Sequence, residues 1–280
     1  MTNITQRPTL DQLLTEMGLA GARICAIDAS EAGAGNISVC IGWDVDVSGY
    51  FPITEQIALP LPAPALAGRT IIATGSGRRL RQIGDDPEAA LAAVIIDETG
   101  TTGTLCTSPR RHFEKLTSEF NSHLAVHQDQ VSRRGIDFQA VVHAQPMHLT
   151  YLSHIPAYRD TEAMNRHILR WEPETIVSVP AGIDVLPFAV PGSPELMRAN
   201  IEGLRDYEIV LWSKHGVMAR SDLSVLRAVD RVEYAETGAR YEYMDILAGG
   251  LAEGLTAAET KAVADAFGVN SPWAMKTLIT

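Results

Sequence analysis

The chain has 280 residues, 46% hydrophobic and 20% charged, and can therefore bury a large core. Its formal net charge of −11 argues against a nucleic-acid-binding surface and suits a cytoplasmic enzyme. Its three scattered cysteines form no CxxC pair, which indicates a reducing compartment, and no apolar run approaches a membrane span of ~18 residues.

The first part of the chain predicts one helix followed by short strands. Thr9 and Gln12 form a capping box ahead of a helical stripe of leucines, so residues 9–28 are predicted to be mainly helical. Apolar and polar residues alternate from Asn36 onward, which predicts a strand there. Further strands are predicted, the last two as a hairpin, at 70–73, 92–97 and 103–106.

Glycine-rich turns adjoin two of these strands. Glycines precede Asn36, and the turn from Gly75 to Gly77 follows the strand at 70–73, with two arginines directly after it. Such turns expose backbone N–H groups and favour an anion cradle, although a plain tight turn is the alternative. Because there is no Walker lysine and no full GxGxxG, a nucleotide loop is not favoured.

The segment Thr117-Ser118-Glu119 predicts the start of a helix, with Thr117 or Ser118 as its cap and Glu119 in its first turn. Glu119 has two interpretations. It either complements the helix dipole, or it directs a carboxylate into a cleft where the helix N-terminus binds an anion.

The second half of the chain alternates helices with strands. Helices are predicted at 147–153, 161–170 and 222–247, and strands at 175–179 and 182–190. Ser193 caps a further helix, and Thr256 caps a last one that Gly268 closes. These elements predict an α/β fold in which a single domain, residues 1–280, has a central mixed or mainly antiparallel sheet flanked by helices.

Two apolar strand patterns lead into histidines, His143 and His215. Histidines at the ends of separate strands are what a metal site or an acid–base site assembled across a sheet requires. Two hydrogen-bonded core histidines are the alternative. The third polar segment, at Glu119, favours the site.

In this order the motifs resemble the class II aldolase/adducin-like family. The likeness runs from about Asn3 to Phe267 and is carried by short segments: Asn3-Ile4-Thr5-Gln6, Gly35-Asn36, Thr74-Gly75-Ser76-Gly77, Thr117-Ser118-Glu119, the His143 strand, Trp171-Glu172, Leu186-Pro187, Val190-Pro191-Gly192, Leu211-Trp212 and His215-Gly216-Val217. The resemblance implies a helix-flanked sheet, a ring-like homotetramer, and a metal-dependent lyase that cleaves a ketose 1-phosphate by a retro-aldol reaction.

The resemblance also implies roles for individual residues. Glu119 matches the family's catalytic glutamate, and a second acid from a neighbouring subunit falls on Glu172, with Glu174 as the alternative. Zinc is expected on His143, His215 and the residue at position 145. The substrate phosphate is expected in a cradle formed by Asn36, Ser76, Gly77, Thr117 and Ser118.

Position 145 departs from the family pattern. The family's first two metal histidines form His-x-His on one face of a strand, whereas this chain has His143-Ala144-Gln145. A glutamine oxygen is a poorer zinc ligand than imidazole. His148 is nearby, but Pro146 ends the strand before it. Gly33 is a smaller departure, because a ketose 1-phosphate aldolase of the family has a phosphate-binding asparagine there.

Three hypotheses for function remain open. The first is a zinc-dependent aldolase acting on a sugar phosphate. In the second, Glu119 joins His143 and His215 as a ligand, and this set matches the two-histidine, one-carboxylate site of non-haem Fe(II) oxygenases. The third is a metal-free interaction module like the adducin head, against which the presence of all three residues argues. No nucleic-acid or membrane partner is expected.

Overall fold

The structure, a computed structural model, describes residues 7–275 and is centred on one nine-stranded sheet. The strands are β1 (Asn36–Ile41), β2 (Ile53–Ala58), β3 (Thr70–Thr74), β4 (Leu91–Ile96), β5 (Thr102–Thr107), β6 (Phe138–Ala144), β7 (Asp184–Leu186), β8 (Ile209–Trp212) and β9 (Gly216–Ser221). Across the sheet their order is β2-β5-β4-β3-β1-β6-β9-β8-β7, so β1 and β6 lie in the middle.

Among the described residues, every strand pairing is antiparallel except that of β7 with β8. The predicted α/β fold with a mixed or mainly antiparallel sheet is therefore confirmed. The predicted motif Asn3-Ile4-Thr5-Gln6 lies outside the described residues. None of the helices within residues 7–275 has the length and apolar character needed to cross a membrane.

Helices cover both faces of the sheet. They are α1 (Leu10–Ala26), α2 (Pro87–Ala90), α3 (Phe120–Arg134), α4 (Met147–Leu152), α5 (Thr161–Ile168), α6 (Pro173–Ser178), α7 (Pro194–Asp206), α8 (Val225–Ala248) and α9 (Ala257–Phe267). On one face α1 and α8 pack in a common core with Ile37, Val39 and Val142. On the other face α3 packs near Cys40, and α7 packs near Val141. Strand alternation thus divides the core into two layers.

The local signals for helix ends hold in the structure. The capping box of Thr9 and Gln12 starts α1, and that of Thr256 and Glu259 starts α9. Ser193 caps α7 by accepting a hydrogen bond from the backbone N–H of Leu196. These signals are reliable because each depends on residues three positions apart.

The strand predicted at 175–179 is wrong, since residues 173–178 form helix α6. Pro173 occupies the first helical position, which suits its fixed φ, and Glu174 complements the dipole in the first turn. The β-branched run that favoured a strand instead buries Ile176 in the core beneath α1 and α8. Tertiary packing outweighs local β-propensity here.

Two other predicted strands have different bounds in the structure, and one strand was not predicted. The strand predicted at 182–190 is limited to β7, and Pro187 follows directly. The weakly patterned segment 43–68 contains the edge strand β2, whose mostly exposed side chains leave no apolar pattern. The strand predicted to run to His215 ends at Trp212, and β9 follows as the second strand of a hairpin.

Gly21 in α1 provides a test of this packing. A Cβ at Gly21 would lie 2.9 Å from the carbonyl carbon of Leu80 and closer still to its oxygen. Gly→Ala stabilises an exposed helix by about 1 kcal/mol, whereas overpacking costs about 1–3 kcal/mol. We expect Gly21→Ala to lower the free energy of unfolding in urea. The exposed Thr15→Ala in the same helix is the control, and a stabilised Gly21→Ala protein would contradict the packing.

Candidate metal centre

The candidate site lies on the face of the sheet that α3 covers. β1 and β6 pair in a register that sets Asn36 opposite His143. Because side chains alternate along a strand, Asn36 and Ser38 lie on the same face as Gln139 and His143. Neighbouring positions on this face are two residues, or about 6.6 Å, apart along each strand.

Glu119, His123 and His127 face these strands from the α3 side. They are four residues apart, which corresponds to a rise of about 6 Å along a helix, close to the two-residue spacing of a strand. All three side chains are buried. These helix side chains can therefore contact strand side chains over several successive turns.

The start of α3 differs from the prediction. Neither Thr117 nor Ser118 is the N-cap residue, because the helix begins at Phe120 and Glu119 occupies the cap position without a side-chain capping bond. Thr117 Oγ1 instead accepts a hydrogen bond of 3.4 Å from the backbone N–H of Glu119. The Glu119 carboxylate is thus free of the helix end and points to the strand residues.

His215 lies in the turn between β8 and β9, not at the end of the predicted strand. Lys214, directly before it, has a left-handed backbone with φ 65°, and its N–H donates to Ser153 Oγ at 2.7 Å. A Cβ at Gly216, directly after it, would lie 3.1 Å from His143 Cε1 and closer still to the Ala144 carbonyl oxygen. Only glycine allows this turn to pass so close to the β6 strand.

His143, His215 and Glu119 form one cluster, and their ligand atoms lie within 4.8 Å of one another. Glu119 Oε2 is 3.6 Å from His143 Nε2, and Glu119 Oε1 is 4.0 Å from His215 Nε2. His143 Nδ1 lies 2.7 Å from the Val217 carbonyl oxygen, which can only accept, so Nδ1 carries a proton and Nε2 is the ring nitrogen that faces the cluster. Two imidazoles and a carboxylate are a donor set that fits a divalent transition metal.

Trp212 supports both imidazoles, a role that the sequence did not predict. Its ring centroid lies 4.4 Å from that of His143, at an interplanar angle of 25°, and 4.9 Å from that of His215. The indole is buried and donates from Nε1 to Asn200 Oδ1 at 2.6 Å. The stacking restricts ring rotation and so preorganises the cluster.

Burial lowers the pKa of His215, and the neighbouring His143 lowers it further. His215 is therefore neutral at pH 7. Neutral imidazole is the form that binds a metal ion.

A cavity of about 190 Å³ adjoins the cluster. It reaches from Glu119, His143 and His215 to the glycine-rich turns before β1 and after β3. The five residues of the predicted phosphate cradle all line it: Asn36, Ser76, Gly77, Thr117 and Ser118. Gly33 and Arg78 also line it, and the buried Nε of Arg78 has no hydrogen-bond partner within residues 7–275.

Gln145 lines this cavity and also a second one of about 630 Å³. Its backbone N–H donates to the Ala29 carbonyl at 2.8 Å. The larger cavity also borders His215 and carries two acidic residues, Asp28 and Glu31, together with Lys214. Gln145 and His215 therefore lie at the border between the two cavities.

His148 does not replace the missing ligand. It lies in α4, where its Nδ1 is 2.6 Å from Glu236 Oε1, and Glu236 also accepts from the backbone N–H groups of His148 and Leu149. Glu172 is the N-cap residue of α6 and accepts from Thr175 Oγ1 at 3.2 Å. Neither Glu172 nor Glu174 lines the two cavities within the described part of this chain.

The sequence profile of the Class II Aldolase and Adducin N-terminal domain family matches residues 16–243, so the chain belongs to this family. The chain is 28% identical over 233 residues to rhamnulose-1-phosphate aldolase from Bacteroides thetaiotaomicron, which covers 82% of this chain and 84% of that protein. It is also 28% identical over 243 residues to rhamnulose-1-phosphate aldolase from Escherichia fergusonii, with 85% and 87% covered.

Solved structures agree with this assignment. The sugar-phosphate aldolase from Thermotoga maritima matches with a TM-score of 0.71 and 26% identity, covering 86% of this chain and 97% of that one. The L-fuculose-1-phosphate aldolase from Thermus thermophilus matches with a TM-score of 0.53 and 18% identity, covering 87% and 98%. The second likeness supports the fold alone.

The cluster predicts how single variants change metal affinity. We expect His143→Ala and His215→Ala each to weaken Zn²⁺ binding more than about a hundredfold, because loss of even an outer-shell partner costs about ten- to a hundredfold. His148→Ala, the matched control, should bind as the unaltered protein does. Calorimetric titration of metal-free protein measures the affinity, and a large loss in His148→Ala would contradict this ligand set.

The buried histidines of α3 make stability depend on pH. Burial lowers the pKa of His127 to about 4 and that of His123 well below 6.5. In the unfolded chain both return to about 6.5, so the unfolded state binds protons first as the pH falls. This stability is fully present above pH ~6.5 and is lost between there and about 4. At about 1.4 kcal/mol per pKa unit, His127 contributes roughly 3 kcal/mol.

Urea denaturation at pH 7.5 and pH 5 tests this dependence. The difference between the two free energies of unfolding should shrink in His127→Gln, because a titrating group is removed. It should persist in His112→Gln, since His112 is exposed. Equal differences in both variants and the unaltered protein would show that His127 does not carry the effect.

Proposed function

We propose that the protein is a metal-dependent aldolase that cleaves a ketose 1-phosphate of the rhamnulose-1-phosphate type into dihydroxyacetone phosphate and an aldehyde. The observation that carries this proposal is the junction of the His143, His215 and Glu119 cluster with a small cavity lined by glycine turns and hydroxyl groups. Membership of the class II aldolase family, and relatives that are named aldolases, support the enzyme class.

His143 and His215 would hold the metal ion, which is zinc in this proposal. The amide oxygen of Gln145 would be the third protein donor, which leaves the Glu119 carboxylate available to carry a proton. Such an ion, when bound, supplies Lewis acidity to the carbonyl and adjacent hydroxyl oxygens of the substrate. The fixed tautomer of His143 and the Trp212 stacking prepare the two ring nitrogens for this role.

Glu119 holds and transfers the proton in this proposal. When the carbon–carbon bond breaks, its carboxyl group delivers a proton to the carbon that has lost the aldehyde half. Glu172 of a neighbouring subunit would exchange the hydroxyl proton of the aldehyde half. Burial raises the pKa of the Glu172 carboxyl, which suits an acid that is protonated in part of the cycle. This role requires the predicted tetramer, and both, like the cytoplasmic location, remain predictions.

The small cavity would bind the substrate phosphate. Ser76 and Gly77 follow β3 in a turn where Gly77 has φ 69°, and Thr117 and Ser118 precede α3. Hydroxyl groups and backbone N–H groups at such turns and helix starts are suited to anions. Arg78 adds a positive charge to the same lining.

A non-haem Fe(II) oxygenase is the second candidate. The observation that favours it is Gln145, because the cluster is left with two histidines and one carboxylate. Metal analysis of protein purified without added metal separates the two candidates. Zinc supports the aldolase, and iron supports the oxygenase.

Glu119→Gln tests the aldolase directly. The amide keeps the size of the side chain but cannot transfer the proton, so we expect a decrease in kcat of about a hundredfold or more. Cleavage of L-rhamnulose 1-phosphate and L-fuculose 1-phosphate is measured by release of the aldehyde half, the product that phosphorylated and unphosphorylated substrates share. Unphosphorylated L-rhamnulose is the substrate control, and equal cleavage of it would contradict the phosphate cradle.

Gln145→His tests the role of the altered ligand position. In a zinc aldolase a third imidazole should tighten zinc binding and preserve or raise cleavage, because three nitrogen donors still leave one coordination position open. In an oxygenase the same change would occupy a position needed by substrate or oxygen. A variant that binds zinc tightly and cleaves none of the ketose 1-phosphates would favour the second candidate.

A further inference from the structure

The side chain of Asn36 is engaged at both ends inside the protein. Its Nδ2 donates to Glu119 Oε2 at 2.7 Å, and its Oδ1 is hydrogen-bonded to His123 Nε2. The side chain is also buried. Although the residue lines the proposed phosphate cavity, its amide is committed to Glu119.

The contact with Asn36 is one end of a longer chain of buried polar groups. His123 Nδ1 lies 2.7 Å from Ser38 Oγ, which in turn lies 2.7 Å from His127 Nε2. His127 Nδ1 lies 2.8 Å from the amide oxygen of Gln139. Each of these four side chains is at most 1% exposed. Their hydrogen-bonding groups must therefore be satisfied by one another.

The donors and acceptors fix the direction of this chain. A carboxylate can only accept, so Asn36 turns its N–H₂ to Glu119 and its oxygen to His123. Burial lowers the pKa of His123, so its ring is neutral and its one proton lies on Nε2. Its Nδ1 must then accept from the Ser38 hydroxyl, whose oxygen accepts from His127 Nε2–H.

Gln139 completes the chain at its far end. His127 is also neutral, since its pKa is about 4, so with its proton on Nε2 its Nδ1 can only accept. The Gln139 oxygen cannot donate to it, whereas the Gln139 Nε2 is buried without a hydrogen-bond partner among the described residues. A half-turn of the amide brings Nε2 to His127 Nδ1 and gives that N–H an acceptor. Every hydrogen bond then runs toward Glu119.

We propose that these groups form a one-directional hydrogen-bond chain that positions the Glu119 carboxylate toward His143 and His215. Its members, in order, are Gln139, His127, Ser38, His123 and Asn36. His123 is the central positioning residue, because its Nε2–H holds the Asn36 oxygen and so keeps the amide N–H₂ toward Glu119. The functional part of this inference rests on the proposed role of Glu119 as proton carrier, but the chain itself does not.

Nitrogen NMR of metal-free, ¹⁵N-histidine-labelled protein tests the chain without any activity. We expect both His123 and His127 in the Nε2–H tautomer at pH 7, with unprotonated Nδ1 atoms. Gln139→Leu should shift the Nδ1 resonance of His127, because it removes the donor. An Nδ1–H tautomer at His123 or His127 would overturn the proposal.

A pair of variants at His123 tests positioning. His123→Gln keeps an N–H donor near the place of Nε2, whereas His123→Leu does not. We expect His123→Leu to lower kcat about ten- to a hundredfold with KM within about twofold, and His123→Gln to retain most of the rate. Inorganic phosphate should bind both variants as it binds the unaltered protein. Equal rates in the two variants would overturn the positioning role.

The ¹³Cδ resonance of Glu119, assigned with Glu119→Gln, gives a readout that needs neither metal nor substrate. It should move in His123→Leu and return toward its original position in His123→Gln. If the unaltered protein cleaves no ketose 1-phosphate, the proposed function fails, and this resonance and the tautomers still decide the chain. If His123→Leu does not fold, the tautomers and Gln139→Leu decide it.

Discussion

The packing of α3 against β1 and β6 is the contact on which the candidate site depends. One turn of helix and two residues of strand advance by similar distances, so side chains four apart on α3 can contact alternate side chains of β1 and β6. The contacts are staggered: Glu119 meets Asn36, 83 positions away in sequence, His123 lies between Asn36 and Ser38, and His127 lies between Ser38 and Gln139. A small rotation of α3 about its axis would break these contacts.

The turn between β8 and β9 supplies the remaining part of the candidate site. Trp212 at the end of β8 stacks on His143 and lies close to His215, while Gly216 lets the following turn approach β6. The turn that directs His215 inward requires a strained, left-handed backbone at Lys214. The hydrogen bond from the Lys214 N–H to Ser153 stabilises this turn. The ligand atoms are thus fixed by rigid strands on one side and a constrained turn on the other.

The parts of this arrangement that depend on near neighbours could be predicted from sequence. The strand at His143 and the caps of α1, α7 and α9 depend on residues a few positions apart, and the order of motifs indicated the family. The β-branched run around Ile176 led to a wrong strand prediction. Burial of Ile176 in the core, and not the local preference for a strand, decides the conformation of this segment. The bond between Asn36 and Glu119 could not be predicted, since no local pattern reports the rotation of α3 on the sheet. The two histidines of α3, His123 and His127, were the sequence signal that this helix carries polar groups on the face toward the sheet.

Because both ends of the Asn36 amide are occupied, an anion that entered the cavity would find its donors elsewhere, at Ser76, Gly77 and the residues before α3. Under the proposed function, binding of the substrate phosphate and proton transfer by Glu119 would therefore use separate sets of atoms, although they share one small cavity. Phosphate binding and proton transfer would then depend on different residues. Exchange of residues in the turn after β3 would then alter which substrate tail is accepted, while the hydrogen bond from Asn36 keeps the Glu119 carboxylate in place.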